Sequence, residues 1–542
     1  MQWPILLTWL LFAGVSFLGV PNPGVNEPHY ISKARSLVDP DWCARDFFLQ
    51  SSNVHWCFLQ LTGWLTQWIS FSGTAVVGRV LSALMLAAGW SLLCGAVGLR
   101  GWQKVAAAAV FALLSQSGSF SGEWILGGYE SKVPAWGLGW AALGLWINGC
   151  RSWCLRKLVL VGVCCGASVA LHPVVGGWFG LGVGGASFLR LFSSGRIFPG
   201  RIRAEAATLS VFGTAAILAA LPGLLPALRF LLSAGVPDAI QERAIFVQVF
   251  WRLRHHLDPM AITTEQWCYA ACLLLIVFVP ALWLQRGLRI SSVFGGCGQD
   301  ESLERLQRVL VAALAAAIAG ILVGWHGAPV EQMTGWEWRG KLLRFYPFRF
   351  FDGMLPTVAA IMVVITASGF GRRLQSPAET RVAQSGNESH GSWLPWTVCL
   401  LLFVSAWGLA LWKRPVAPAG YTSAVWRDWQ AACGWLRENT GKSSLVLTPR
   451  ESFAFKWLSD RAEYVCYKDC PQDPAGIVEW DERLWRVHGW SKASLRDGRY
   501  DAGDLRELHL RTGCDYVLIR GREPFASAPE WTGEYWKIYR VN

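Results

Sequence analysis

Residues 3–20, WPILLTWLLFAGVSFLGV, form an apolar run without charge, and residues 21–52, PNPGVNEPHYISKARSLVDPDWCARDFFLQSS, follow as a strongly charged stretch. A membrane-spanning helix needs about 20 predominantly apolar residues. The run has no Lys or Arg before it and no clear small-residue cleavage site after it, so we interpret it as an anchor, not a signal peptide. The abrupt change in polarity predicts that a charged loop begins at the membrane surface.

The composition of the whole chain is that of a membrane protein. Of its 542 residues, 53% are apolar and 16% are charged, and 33 are tryptophans. Soluble proteins carry about 25% charged residues, so a soluble enzyme, a disordered chain and a disulfide mini-protein are excluded. The net charge of +12 is first a topology signal in such a chain. We therefore expect the lipid bilayer as a partner and no nucleic acid.

Apolar runs recur along the first three quarters of the chain, and eleven of them are candidate spans. They lie near residues 3–20, 74–98, 105–119, 133–149, 158–172, 174–189, 205–227, 267–284, 309–325, 351–369 and 393–412. Residues 54–71 are amphipathic and rich in tryptophan, which predicts a helix in the membrane interface. The predicted fold class is a polytopic α-helical membrane protein with about 11 transmembrane helices.

The distribution of basic residues predicts the orientation. With the N-terminus inside, the inner loops hold 16 Lys and Arg in 72 residues, and the outer loops hold 12 in 111 residues. Cytoplasmic loops carry the excess of Lys and Arg. This predicts a cytoplasmic N-terminus, an acidic first outer loop over residues 21–55, and a C-terminal part outside the cytoplasm.

The composition changes again after residue 412. Residues 413–542 are charged and alternate between helical and strand patterns, which predicts a small extra-cytoplasmic α/β domain with a largely parallel sheet. Residues 1–412 then form the transmembrane domain. Two cysteine pairs, Cys43 with Cys57 and Cys466 with Cys470, could form disulfides in an oxidising compartment.

Polar residues with chemical potential gather in the outer loops. The candidate catalytic residues are the first-loop carboxylates Glu27, Asp39, Asp41 and Asp46. A carboxylate at this place can deprotonate an acceptor hydroxyl or hold a divalent metal ion. Helix capping, turns and surface ion pairs are the alternative roles for the same residues. No P-loop, GxGxxG, GxSxG or HExxH motif indicates a soluble-enzyme chemistry.

Other outer-loop residues are candidates for substrate binding. They are His29, Tyr30, Arg79, Glu130, Lys132, Arg254, His255, His256, Arg344 and Arg349. Arginines beside histidines or aromatic rings suit a phosphate or a lipid headgroup. Snorkelling at the interface, an aromatic belt, and a Glu130–Lys132 ion pair are the alternatives. Glu123 and His172 also lie at the ends of predicted spans.

One span followed by an acidic outer loop, Asn26-Glu27-Pro28-His29-Tyr30, and an amphipathic helix resembles the GT-C glycosyltransferase superfamily. The chain also resembles an uncharacterised group of bacterial, largely planctomycete, membrane proteins of the DUF6798 type. This second resemblance is carried by NEPHYISKARSLVDPDWCARDFFL, GYESKVPAWGLG, RLRHHLDP, LLRFYPFRFFDGMLP and FKWLSDRAEYVCYKDCPQDPAGIVEW.

The GT-C resemblance implies a membrane transferase that moves a sugar from a polyprenyl-phosphate donor to a glycan, lipid or protein acceptor outside the cytoplasm. A first-loop acid would be the general base; the family residue is often Asp, and Glu27 stands in the comparable place. The expected location is the bacterial cytoplasmic membrane. The alternatives are a transporter or flippase, with Arg79, His172 and Glu130 along its path, and a non-catalytic anchor for the C-terminal domain.

Overall fold

The structure, a computed structural model, describes residues 2–149, 155–192, 199–232, 235–288, 297–374, 394–521 and 525–541. Apolar helices dominate the chain as far as Lys413, and a small five-stranded sheet with flanking helices follows. The predicted fold class is therefore confirmed in its coarse form, as a largely helical protein with a small C-terminal sheet region.

Each of the eleven predicted spans falls on a helix. The helices up to residue 413 are α1 (Trp3–Gly19), α2 (Glu27–Val38), α3 (Phe47–Gln50), α4 (Trp56–Thr66), α5 (Phe71–Ala96), α6 (Trp102–Ser117), α7 (Lys132–Gly149), α8 (Leu155–Leu171), α9 (Pro173–Phe192), α10 (Pro199–Leu232), α11 (Asp238–Phe246), α12 (Arg254–Leu257), α13 (Thr264–Leu288), α14 (Cys297–Gly324), α15 (Trp336–Leu343), α16 (Pro347–Leu374) and α17 (Leu394–Lys413). One π-helical turn, Val247–Arg252, joins α11 to α12.

Six stretches of the described residues are long and apolar enough to cross a membrane. They are Phe71–Ala96, Ala206–Arg229, Thr264–Ala281, Glu301–Gly324, Trp336–Ser368 and Leu394–Lys413. The helices Trp3–Gly19 and Pro173–Leu189 are apolar but shorter. The chain is thus a multi-pass membrane protein by composition, while the count of eleven crossings stays a prediction.

Aromatic rings and close helix contacts build the core of the helical part. The rings of Trp90, Phe111 and Trp140 lie 5.2 Å apart in all three pairs. A Cβ atom on Gly89 of α5 would lie 2.0 Å from the carbonyl oxygen of Gly137 on α7. Small residues therefore allow these two helices to approach closely, as in other membrane bundles.

The first outer loop folds mainly into helices. Residue Gly63 of α4 approaches α2 so closely that a Cβ atom there would lie 2.3 Å from the carbonyl oxygen of Ala34. The opposite side of α4 exposes Leu61 and Trp64, which are 64% and 60% accessible. The amphipathic segment predicted over residues 54–71 is therefore a helix with an exposed apolar side, as interfacial helices have.

The C-terminal part contains α18 (Ser423–Asn439), β1 (Leu445–Leu447), α19 (Phe455–Ser459), β2 (Ala462–Glu463), α20 (Pro474–Ser494), α21 (Ala502–Thr512), β3 (Tyr516–Arg520), β4 (Trp531–Thr532) and β5 (Trp536–Arg540). The strand order is β2-β1-β3-β5-β4. Strand β1 runs parallel to β2 and β3, whereas β5 runs antiparallel to β3 and β4.

The prediction of a largely parallel sheet is therefore correct for one half of the sheet and wrong for the other. Parallel neighbours need a crossover connection, which is usually a helix. Helices α20 and α21 lie in the chain between β2 and β3, but the described residues between β3 and β5 contain no helix. Without a crossover helix between them, β5 consequently pairs with β3 in the antiparallel direction.

The first outer loop packs directly against this C-terminal part. Phe48 and Leu49 share a buried apolar cluster with Ala462 and Tyr464. Arg45 adds an ion pair of 2.6 Å with Asp515. The first outer loop and the C-terminal part, which lie far apart in the sequence, thus share an interface with a buried apolar core and an ion pair.

Neither of the two possible disulfides is formed in the structure. Cys43, Cys57, Cys466 and Cys470 all carry free thiols. Cys43 is buried against the C-terminal part, while Cys57 belongs to α4. The Cys470 thiol lies 3.3 Å from the carbonyl oxygen of Pro471, and burial raises the pKa of that thiol to about 11. These cysteines fill space as small apolar side chains.

Candidate functional site

Glu27, the first candidate base, forms a closed ion pair with Arg79. The guanidinium contacts both carboxylate oxygens, with Nε 2.6 Å from Oε1 and Nη2 2.8 Å from Oε2. Backbone N–H groups of Gly24 and Tyr129 donate to the same oxygens at 2.6 and 2.7 Å. The side chains of Glu27 and Arg79 are 0% and 1% exposed. Both oxygens are therefore occupied by protein donors.

Arg79 is held as firmly as its partner. Its Nη1 and Nη2 atoms also donate to the carbonyl oxygens of Val20 and Pro21, at 2.9 and 2.5 Å. These carbonyls follow α1, so the pair joins α1, the start of α2 and α5. A buried ion pair needs such additional hydrogen bonds because removing two charges from water is costly.

A second group of charged residues, which we call the central cluster, is formed by the second outer loop, the start of α7, α16 and the C-terminal part. It consists of Glu123, Glu130, Lys132, Arg349 and Lys468. The ammonium of Lys132 lies 3.7 Å from both Glu123 and Glu130, and 3.9 Å above the centre of the Trp124 ring. Glu123 and Glu130 are 7% and 2% exposed. Burial raises the pKa of Glu130, and the Lys132 ammonium opposes this rise.

Arg349 extends the cluster toward the helical bundle. Its Nε atom lies 3.1 Å from Glu123 Oε2, and its Nη1 atom lies 3.4 Å from His172 Nε2. The guanidinium also stacks on the Tyr346 ring at 4.0 Å. The predicted residues Glu130, Lys132 and Arg349, together with Glu123 and His172, are therefore brought to one place.

Lys468, from the C-terminal part, acts on the cluster electrostatically and not through an ion pair, since its ammonium has no carboxylate oxygen of a described residue within 4.0 Å. Burial lowers the pKa of Lys468, and the carboxylate of Glu130 is the charged group that opposes this most strongly. Arg252, of the third outer loop, donates from Nη2 to the carbonyl oxygen of Lys468 at 2.9 Å. The cluster therefore has three cations from three different segments of the chain.

A buried carboxylate sets the position of Glu123. Asp352 of α16 accepts hydrogen bonds from the backbone N–H groups of Phe120, Ser121 and Glu123, at 2.5, 2.8 and 2.9 Å. Asp352 is 3% exposed. One side chain thus fixes the turn from which Glu123 projects, because irregular backbone in a buried place needs a partner for each N–H group.

Residues of the first loop complete one side of the cluster. Asn26 donates from Nδ2 to Glu130 Oε1. The Tyr30 hydroxyl is buried near Ser131 and Glu130, and burial raises its pKa. The Tyr30 ring lies 5.7 Å from the His55 ring. The N-terminal end of α2 therefore faces the central cluster with polar side chains.

The third outer loop contacts the second outer loop, which carries Glu123 and Glu130 of the central cluster. His256 Nδ1 is hydrogen-bonded to the carbonyl oxygen of Ser121, and burial lowers the pKa of His256 to about 3. The His255 ring lies 4.0 Å from the His256 ring and is more exposed. Arg254 points away to Asp258 at 3.7 Å, with 55% of its side chain exposed.

Three predicted residues lie apart from the cluster. Arg344 is half-buried and forms no ion pair with any described residue. Asp39 pairs with Arg35 at 2.6 Å at the end of α2, and Asp41 is exposed in the following turn. Asp39 and Asp41 therefore have the roles of a surface ion pair and a turn residue.

Asp46 belongs to a third group, which joins the first loop to the C-terminal part. We call it the interdomain cluster: His29, Asp46, Lys456, Glu463 and Asp469. The Lys456 ammonium lies 2.6 Å from Asp469, 2.9 Å from Glu463 and 3.4 Å from Asp46. Asp46 also caps α3 by accepting from the backbone of Leu49, and it accepts from the backbone of Glu463, both at 2.9 Å.

The cluster extends to His29 on α2. His29 Nδ1 lies 2.8 Å from Asp469 Oδ1, and its ring is 4.5 Å from that of Phe48. Sequence reasoning selected His29 and Asp46 but missed Lys456, Glu463, Lys468 and Asp469. A charged Lys456 inside the apolar run FAFKWL was a signal that could have identified them, because Lys is rarely buried without a partner.

The oxygen and sulfur atoms of Glu463, Cys466 and Asp469 lie within 4.8 Å of one another, a spacing suited to a metal ion. However, the Lys456 ammonium already contacts two of these three side chains. Burial also raises the pKa of the Cys466 thiol well above its usual value. The negative charge of this group is therefore already balanced by a lysine, whose ammonium lies where a divalent cation would have to bind.

Among known protein families, a family model for the domain of unknown function DUF6798 matches residues 427–487 of this chain. No curated protein matches the chain. The Archaeoglobus fulgidus oligosaccharyltransferase is similar in two crystal structures, in the apo form and with zinc and sulfate, at a TM-score of 0.46 and 13% identity each. The alignments cover 95% of this chain and 69% and 67% of the other chain.

A third structure, the archaeal oligosaccharyltransferase AglB from Archaeoglobus fulgidus with an inhibitory peptide and a dolichol-phosphate, is similar at a TM-score of 0.44 and 12% identity, over 96% of this chain and 69% of that one. The resemblance to the DUF6798-type proteins is thus confirmed over residues 427–487, which include Lys456, Lys468 and Asp469.

Proposed function

We propose that the chain is a membrane glycosyltransferase that transfers a sugar from a polyprenyl-phosphate donor to an acceptor outside the cytoplasm. The observation that supports this most is the central cluster. Lys132 and Arg349 contact two buried carboxylates where the second outer loop meets α16, and Lys468 of the C-terminal part interacts electrostatically with one of them, Glu130.

The donor phosphate would bind to the three cations. Arginine and lysine form charge-assisted hydrogen bonds with phosphate oxygens, and these bonds are stronger in a buried place than in water. The carboxylates Glu123 and Glu130 hold Lys132 and Arg349 in position in the absence of donor. After the sugar leaves, the same cations would stabilise the charge that develops on the lipid phosphate.

The acceptor hydroxyl needs a proton acceptor, and the first-loop carboxylates were the expected ones. Glu27 and Asp46 are fully buried and already accept several hydrogen bonds each. Asp39 and Asp41 lie apart from the central cluster. We therefore assign structural roles to Glu27 and Asp46, and the proton acceptor must be another residue.

The proposal includes the orientation inferred from the basic loops. The N-terminus would lie in the cytoplasm of a bacterium, the helical part in the cytoplasmic membrane, and residues 413–542 outside. The acceptor would be a glycan, lipid or protein on that side. A transporter path through Arg79 has less support, because Arg79 is closed off by Glu27 and two carbonyl oxygens. An inert anchor would have no need of Lys468 beside Glu130.

The test is sugar transfer by the purified full-length protein in liposomes, with short-chain polyprenyl-phosphate sugars as donors. Lys468→Gln should lower kcat/KM by about 10- to 100-fold, as expected for the loss of one charged hydrogen bond of about 1.5–3 kcal/mol. Lys442→Gln is the matched control, because Lys442 is an exposed lysine of the same domain. No transfer by the wild type, or equal rates for the two variants, would contradict the proposal.

A further inference from the structure

His29 and Asp469 form a carboxylate–imidazole pair across the interface between the first loop and the C-terminal part. Asp469 Oδ1 lies 2.8 Å from His29 Nδ1. The two side chains are 14% and 11% exposed. A carboxylate can only accept a hydrogen bond when ionised, so this contact fixes the proton of a neutral His29 on Nδ1.

Lys456 keeps Asp469 ionised. Its ammonium contacts Asp469 Oδ2 at 2.6 Å, on the oxygen that His29 does not use. The Lys456 ammonium and the hydrogen bond from His29 hold the pKa of Asp469 well below its usual range, against the effect of burial. Asp469 can therefore orient the imidazole and stabilise its positive charge without taking the proton itself.

The second nitrogen of His29 is left available. Nε2 has no hydrogen-bond partner in the part of the chain that the structure describes, and it bears the lone pair of the neutral ring. The charged groups that act on the ring are Asp469, Lys468 and Arg252. His55 is a further titratable neighbour, because His29 contributes to lowering the pKa of His55. Burial together with Lys468 and Arg252 lowers the pKa of His29 against the opposing effect of Asp469, and this lower pKa favours the neutral ring.

The pair also lies beside the central cluster. Lys468 precedes Asp469 in the chain, and Glu130 is the carboxylate that acts most strongly on Lys468. Tyr30, the residue after His29, is half-buried, and Glu130 is the charged group that acts most strongly on its hydroxyl. One segment of the first loop and one of the C-terminal part thus place an oriented imidazole close enough to Lys468 and Arg252 for both cations to act on it.

We propose that His29 is the catalytic base and that Asp469, with Lys456 behind it, is its positioning residue. This inference rests on the proposed function. In the reaction, the acceptor O–H proton moves to His29 Nε2, and the acceptor oxygen forms a bond to the anomeric carbon of the sugar. The bond between that carbon and the phosphate oxygen breaks, and its electron pair leaves with the lipid phosphate. Asp469 balances the imidazolium that results.

The experiment measures transfer by the full-length protein as a function of pH. His29→Asn should lower kcat by about 10²- to 10⁴-fold, the contribution of a general base. Asparagine can still hydrogen-bond Asp469 from the position of Nδ1, so the interface is preserved. His488→Asn is the matched control, since no described residue forms an ion pair with His488.

The variant Asp469→Asn tests whether Asp469 orients the His29 ring or only packs against it. Asp469 raises the pKa of His29, so its neutral replacement should shift the acidic limb of the pH profile of kcat to lower pH while lowering the plateau by about 10²-fold or more. An unchanged limb with a lower plateau would assign Asp469 a purely structural role and overturn its part of the proposal.

The outcomes distinguish this inference from the function on which it rests. If the wild type transfers sugar and His29→Asn does so at a similar rate, His29 is not the base although the protein is a transferase. If the wild type transfers no sugar from any polyprenyl-phosphate donor, the proposed function fails first and the base assignment fails with it. Nitrogen-15 NMR of labelled histidines should find His29 neutral with its proton on Nδ1, and the Nε2-protonated form would also overturn the proposal.

Discussion

Glu27→Gln should lower the free energy of unfolding of the protein, and this loss of stability should be its main effect, not a direct effect on the transfer reaction. The side chains of Glu27 and Arg79 are 0% and 1% exposed, and four donors share the two carboxylate oxygens. The neutral amide leaves the Arg79 charge buried without a counter-ion and turns an NH₂ group toward a donor. Breaking such a buried pair costs about 3–5 kcal/mol.

The assay is reversible unfolding in mixed detergent micelles, followed by tryptophan fluorescence. Asp39→Asn is the control, because Asp39 pairs with Arg35 at a place where 34% and 25% of the side chains are exposed. Such a pair contributes about 0–1 kcal/mol. A double-mutant cycle with Arg79→Met should give a coupling energy of about 1–3 kcal/mol. The argument is refuted if Glu27→Gln is as stable as Asp39→Asn yet loses transfer, since Glu27 would then act in the reaction.

Two further predictions concern the interface and the thiols. Lys456→Met leaves three carboxylates buried without their cation. This variant should therefore destabilise the C-terminal part by about 3–5 kcal/mol and speed its proteolysis. Equal resistance to proteolysis of Lys456→Met and of the exposed-site variant Lys442→Met would contradict this. Because Cys466 and Cys470 are free thiols, reductant should leave the Tm unchanged and the intact mass of the unreduced protein should show no loss of hydrogen; a mass lower by two hydrogens would contradict the structure.

The helices were predictable because their signal is local. An apolar run of suitable length, such as residues 393–412, predicts a helix whatever surrounds it. The long helix α10 and the amphipathic helix α4 were found for the same reason. The antiparallel return of β5 was missed, because a strand pattern carries no information about the neighbour with which the strand pairs.

The candidate site was predictable in part. Outer-loop charges beside apolar spans identified Glu130, Lys132 and Arg349, which the structure brings together. The same rule also selected Arg344, Asp41 and other residues that lie elsewhere, because charge near a membrane indicates a surface as readily as a site. Lys456 and Asp469 were missed because they contact Asp46 and His29 only in the folded chain, and the sequence does not show that segments so far apart meet.

The amino-acid sequence was enough to identify a membrane protein and to place its helices, while the side of the membrane that carries the polar loops stays a prediction. It did so through hydrophobicity and charge, which act residue by residue or over a few helical turns. Only the tertiary structure decided which carboxylates are free. Glu27 meets Arg79 from α5, and His29 meets Asp469 at a separation of 440 residues. The role of a buried charge depends on the groups that share its desolvated space, and folding alone brings those groups together.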